Sequence, residues 1–234
     1  MTLLAELVET SDRVAETPAR LAKVRALAER LRALEGDEIA IGAQHLSGSV
    51  PQGRLGIGYA VLQAAGNGDR AAHPSLTVAD VDRRLGEIAV MRGTGAAALR
   101  VEALRALFSL ATAAEREFLI RLLAGELRQG ALAGVMTDAI AAAAGLSPAP
   151  VRRAMMYAND VGAVARAALL EGDAGLAAFQ LEVLSPIAPM LAHVCAEGMN
   201  HPCAASCPAT SPKIKITRRV WGAQREFALP VRQI

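Results

Sequence analysis

Apolar residues recur at helical spacing along most of this chain, and the period-two alternation of a half-buried strand is absent until its tail. Hydrophobic residues make up 53% of the sequence, yet aromatic residues only 3%. A core must therefore be assembled from Ala, Leu, Val and Ile, which suits closely packed helices. Ala is among the strongest helix formers and Leu is not far behind. The pattern predicts an all-α fold, a multi-helix domain followed by an irregular C-terminal tail.

Start and stop signals divide the helices. A short apolar helix covers 3–10. Thr17 followed by Pro18 opens a second, which runs to about Leu34 and is stopped by Gly36. Asp37 opens a third, to His45. The Gly-, Ser- and Pro-rich stretch LSGSVPQGRLGIG is a loop leading into a helix over 54–65. Thr77 with Asp80 caps VADVDRRLGEIA, RGTG at 92–95 breaks the chain, and a helix over 96–110 follows. Thr112 with Glu115 is a capping box for 113–128. Ser147 with Pro148 opens 148–158, and Asp160 opens 161–170. Two prolines in LSPIAPMLA enforce an extended path. The reading is a helical domain over 1–184, a linker over 185–192 and a basic tail over 193–234.

Charge is unevenly placed. Six of the 25 basic residues and two of the 23 acidic ones follow Ala196, so 19 basic and 21 acidic residues precede it. The body is not a bulk polycation, and any nucleic acid must be met by a local basic face. Lysine occurs only at 23, 213 and 215; arginine dominates, and its fork suits phosphate. No apolar run is long enough to span a bilayer, and MTLLAELVETSDR has no signal-peptide pattern. A cytoplasmic protein is the expectation.

The stretch Gly125–Gly145, GELRQGALAGVMTDAIAAAAG, sets a polar, Arg-bearing turn between two helical segments. Leu119, Leu122 and Leu123 lie before it; Val135, Met136, Ile140 and Ala143 give the following helix an apolar face. Arg128, Gln129 and Gly130 sit where a helix start offers unpaired N–H groups, the parts of a phosphate-binding corner. Taken alone, the same stretch reads more simply as a joint between two helices with a solvated arginine. Ser47–Gly48 and Gly93–Thr94–Gly95 are further Gly-rich turns read as opening helices. Together the three could supply backbone contacts to a phosphate strand without reading its sequence, or be loops with permissive glycines.

Other chemistries find no pattern. There is no G-x-x-x-x-G-K-[ST], and LGIGYA lacks the strand and third glycine of a dinucleotide fingerprint. No nucleophile elbow, zincin motif or paired carboxylates appear, so no catalytic residue is assigned. The acidic residues have arginines three or four positions away, as solvated helix faces do. His193, Cys195, His201, Cys203 and Cys207 have softness suited to zinc but not a zinc spacing. No metal or cofactor is expected in the chain. His45 and His73 read as solvated or capping.

The order of segments LSGSVPQGRLGIGYAVL, then DVDRRLGEIAVMRGTGAAALRVEALRALFSLATAAEREFLIRLLAGELRQGALAGVMTDAIAAAAGL, then SPIAPMLA, resembles the N-terminal region of ATP-dependent DNA ligases. It is most similar to the actinobacterial type with a helical DNA-binding domain. GELRQGALAG and PIAPMLA are its most specific parts. The resemblance implies a domain that grips duplex DNA around a nick through the backbone and minor groove. It also implies that Arg128 and Gly130 lie in the backbone-contacting turn, with Ser47–Gly48 and Gly93–Gly95 in loops facing DNA. The intact family enzyme uses ATP and magnesium and seals nicks in replication, repair or recombination. In the family a K-x-D-G lysine follows the PMLA segment and carries AMP. Here Lys213 and Lys215 stand in SPKIKITRRV with no Asp–Gly after either. The expectation is a truncated or frameshifted chain that binds duplex DNA as a monomer, associated with the nucleoid, and cannot adenylate itself. A non-enzymatic helical module that binds protein is the alternative, and a metal-binding tail a third reading.

Overall fold

The computed structural model describes residues 1–53, 55–127, 133–158 and 160–181. Ten helices lie within them: α1 (Leu4–Glu16), α2 (Arg20–Ala33), α3 (Glu38–Ser47), α4 (Tyr59–Gly66), α5 (Val78–Val90), α6 (Ala96–Ser109), α7 (Ala113–Ala124), α8 (Ala133–Ala144), α9 (Pro148–Ala158) and α10 (Val161–Ala177). The only bridge of extended backbone among these residues joins Leu3 to Thr77, antiparallel. The all-α expectation therefore holds. The expected linker and tail lie outside the described residues.

The buried side chains form two clusters. One gathers α2, α3, α8, α9 and α10 around Leu27, Leu31, Leu46, Met136, Ile140 and Val164. The other gathers α4 to α7 around Leu62, Leu85, Leu104, Phe108 and Phe118. Helix α1 serves both: Leu7 and Val14 enter the first cluster, Leu4 and Val8 the second. A helix that buries a stripe this wide acts as a wedge between two packed layers. The chain passes from the first cluster to the second between α3 and α4, and returns between α7 and α8.

Helix α8 is fastened to α2 at both ends. Arg20, at the start of α2, donates to the Gly134 carbonyl (3.2 Å) and to Asp138 (2.7 Å). Arg32, near the end of α2, donates to the carbonyls of Ala142 and Ala143 at the end of α8. Start meets start and end meets end, so the two helices run parallel.

Several caps match the sequence. Thr112 and Glu115 form a reciprocal box, and Asp160 accepts from the amides of Gly162 and Ala163. Other boundaries differ, for local reasons. Helix α1 does not stop at Thr10–Ser11 but runs to Glu16; both residues are buried, and Thr10 returns its hydroxyl to the Glu6 carbonyl (2.9 Å). Helix α2 begins at Arg20 with Ala19 as its N-cap, because Thr17 stays extended ahead of Pro18. Helix α4 begins at Tyr59 rather than residue 54, since Gly56 has φ +68° and Gly58 is extended. Helix α7 ends at Ala124, where Gly125 turns left-handed (φ 71°). Helix α10 passes residue 170 through a break at Gly172 (φ 64°, ψ −141°).

Candidate nucleic-acid interface

Two of the three sequence-predicted turns border the crossings between the clusters. Ser47–Gly48 does not open a helix but closes one: Ser47 is the last residue of α3, Gly48 caps it at φ 86°, and the next helix begins only at Tyr59. The Gly48 amide donates to the His45 carbonyl (3.1 Å) and the Ser49 amide to that of Gln44 (2.9 Å). The Ser47 hydroxyl donates to the Gln44 carbonyl (2.7 Å). It is therefore turned toward its own helix end, as are the amides of Gly48 and Ser49.

On the return crossing, Gly125 closes α7 and the Glu126 amide donates to the Arg121 carbonyl (2.8 Å). Leu127 then packs against the first crossing. A Cβ placed on Gly48 would lie 3.7 Å from the Leu127 Cβ and 3.8 Å from its carbonyl oxygen. The structure thus sets Ser47–Gly48 beside the segment that leads directly into Arg128. Arg128, Gln129 and Gly130 themselves lie outside the described residues.

The Gly93–Thr94–Gly95 turn stands apart. Both glycines are left-handed, at φ 92° and 83°, and a Cβ on either would meet nothing within 4 Å. All three residues are exposed. Gly95 is the N-cap of α6 and supplies no side-chain acceptor; the Ala96 amide bonds back to the Gly93 carbonyl (3.2 Å), and the next two amides receive no side-chain cap. Arg100 donates to the Met91 carbonyl and ties the helix back to the start of the turn.

Between the two neighbouring crossings runs a groove of about 730 Å³. Val50, Leu55, Ile57 and Tyr59 form one side; Leu122, Leu123 and Glu126 form the other. Its glycines, 48, 53, 56, 58 and 125, let a ligand approach the main chain.

Two features escaped the sequence reading. His45 is not solvated or capping but fully buried directly behind Gly48. Burial lowers its pKa from 6.5 to about 4, and neither ring nitrogen has a partner among the described residues. It is a neutral core residue; its one sequence clue is Ile41, one turn earlier on the same face. The second is Asp138, which accepts from Arg20 of α2 (2.7 Å) and Arg152 of α9 (2.9 Å). Partial burial acts to raise its pKa, but the hydrogen bonds and charges of both arginines outweigh this and hold it below the usual carboxylate range. Partners 118 and 14 positions away leave no local pattern to find.

The acidic residues on α5 pair as expected, Arg83 with Asp80 and Glu87. No group of three His, Cys, Asp or Glu residues among the described ones could hold a metal ion. The His and Cys residues from 193 to 207 lie outside them. No described helix is long and apolar enough to cross a membrane.

Residues 57–141 match the family model for the DNA ligase N terminus. That interval contains the Gly93–Gly95 turn and Arg128–Gly130, and begins after Ser47–Gly48. Over 197 residues the chain is 55% identical to the "Probable DNA ligase" of Anaeromyxobacter dehalogenans strain 2CP-1, covering 83% of this chain and 38% of that protein. It is 49% identical over 195 residues to that of Mycolicibacterium gilvum, with the same coverage, and 48% identical over 191 residues to that of Sorangium cellulosum, covering 81% and 36%. The chain thus spans less than two fifths of the length of these relatives. The match falls on the bundle whose crossings and turns have just been described, and that helical region is similar to the N-terminal part of these DNA ligases.

Proposed function

We propose that this chain holds duplex DNA around a nick, as the DNA-binding part of an ATP-dependent DNA ligase. The observation that carries the proposal is the placement of Gly48 against Leu127. It sets two glycine-bearing helix ends side by side, one of them running into Arg128. Both are helix C-terminal ends whose amides bond back to their own helices, so the phosphate contact assigned here falls to the arginine, and a single arginine suits a contact that ignores base sequence. We assign the exposed Gly93–Gly95 turn a further contact on the same duplex, along the backbone and minor groove. We assign the protein to the cytoplasm, at the nucleoid, as a monomer serving replication, repair or recombination.

The family chemistry transfers AMP from ATP to a lysine and then to a 5′-phosphate, with magnesium. No K-x-D-G occurs in these 234 residues, so we propose that they do not adenylate themselves. Labelled ATP with magnesium, followed by a denaturing gel, should show no covalent adduct; an adduct would refute this part. For DNA, the affinity for a nicked duplex is measured across a salt series. Arg128→Ala should weaken binding regardless of sequence and flatten the salt slope by about one. Absence of salt-dependent binding by the unmodified chain would sink the reading and favour a protein-binding module.

A further inference from the structure

Helix α8 opens beside a cluster of charges that the proposed contact turns do not include. Asp138, one turn into α8, accepts from Arg20 through one oxygen (2.7 Å) and from Arg152 through the other (2.9 Å). The two guanidinium groups are thus held by the two oxygens of a single carboxylate. Asp138 is mostly covered, its side chain 21% exposed, while those of Arg20 and Arg152 are 57% and 55% exposed. The three side chains carry a formal charge of plus one.

The stability of the fold gives little reason for this arrangement. Ion pairs between exposed side chains contribute about 0–1 kcal/mol, and one carboxylate here restrains two long side chains. What it does achieve is orientation. Each guanidinium presents five N–H groups in a rigid fork. The bonds to Asp138 and to the Gly134 carbonyl engage one nitrogen of each. Both side chains remain more than half exposed, so each fork stays accessible to a ligand while Asp138 holds it against α8. Ordering before binding lowers the entropy cost of capturing a ligand. The ligand that meets paired arginine forks with several oxygens and a negative charge is a phosphate.

We infer that Arg20 and Arg152, gathered on Asp138, form a further landing point for the phosphate backbone of duplex DNA. This rests on the DNA-binding reading and extends the contact surface past the turns, onto the faces of α2 and α9. Asp138 is a positioning residue here, since it touches the arginines and not the phosphate.

The test uses the full chain and a nicked duplex, with affinity measured from about 50 to 200 mM salt. Arg20→Ala and Arg152→Ala should each bind more weakly at low salt. Each should reduce the salt slope by about one, so the gap from the unmodified protein narrows roughly fourfold over that range. Arg20→Lys, which keeps the charge, should restore the slope; a purely structural role would not produce that recovery. Thermal melting checks the fold. If Arg20→Ala melts early, Arg152→Ala decides, because its bond is to a side chain and not to a helix carbonyl. An unchanged slope in Arg152→Ala, or in both alanine variants, overturns the inference while leaving the DNA-binding reading in place. Failure of the unmodified chain to bind any duplex is a different result, and removes that reading itself.

Discussion

Gly162→Ala sets two effects of opposite sign against each other. Glycine within a helix is less favourable than alanine by about 0.5–1 kcal/mol, so the exchange would ordinarily stabilise. Gly162, however, is the second residue of α10 and is buried against α3. A Cβ there would stand 2.7 Å from the Ala40 carbonyl oxygen, 3.0 Å from the Gln44 Cδ and 3.1 Å from its Cγ. The carbonyl belongs to a helix and cannot step aside alone. Gln44 is also held, because its Nε2 donates to Asp160 (2.8 Å), the residue that caps α10. The two helices must separate, at the roughly 1–3 kcal/mol typical of overpacking. Propensity offsets only part of this near a helix start, leaving a net loss of about 1–2 kcal/mol. For a chain of this size that lowers Tm by roughly 4 °C. Thermal melting followed by circular dichroism measures it, with urea denaturation as a second reading. An unchanged or higher Tm would refute the packing argument, since it would mean that propensity wins and the helices have room.

The remaining predictions concern the first crossing and a helix start. His45 titrates near 4 in the fold against 6.5 when free, so between those values the unfolded chain binds more protons. Its contribution is complete above about pH 6.5 and is lost as pH falls toward 4, by roughly 3 kcal/mol in all. His45→Leu should therefore flatten the dependence of Tm on pH in that window; parallel curves for the two proteins would disprove it. Gly48→Ala should cost about 1–2 kcal/mol through its left-handed backbone alone, because the nearest atom stands at an ordinary 3.7 Å. Gly48→Asn should recover part of that, and equal losses for both in urea titrations would point to crowding instead. Thr112→Ala removes half of the box that starts α7 and should cost about 0.5–2 kcal/mol in the same titration; no loss would show the cap to be idle.

What could be read from the sequence was whatever is settled within one helical turn. The caps at Thr112 and Asp160 join residues two or three apart, and such bonds form wherever the chain turns helical. The Ala- and Leu-rich periodicity left helices as the only means of burying the apolar surface. The glycine turns at 48, 93 and 95 were visible for the same reason: a left-handed residue is a local requirement. Thr10 and Ser11 look like a helix end in isolation. In the fold Thr10 is buried, bonded to the Glu6 carbonyl and approached by Arg30 from α2 (3.2 Å), so packing carries α1 onward.

Only the tertiary structure decided that the apolar residues divide into two clusters with α1 between them. Only it turned His45 inward and brought Arg20 to Asp138 across 118 positions. Those outcomes depend on which helix faces meet, and the pairing of faces is chosen by the summed fit of all ten helices. The sequence by itself determined that this chain would be helical and where several of its left-handed glycine turns fall. That Gly48 and Leu127 stand side by side is a property of how the two clusters close on each other.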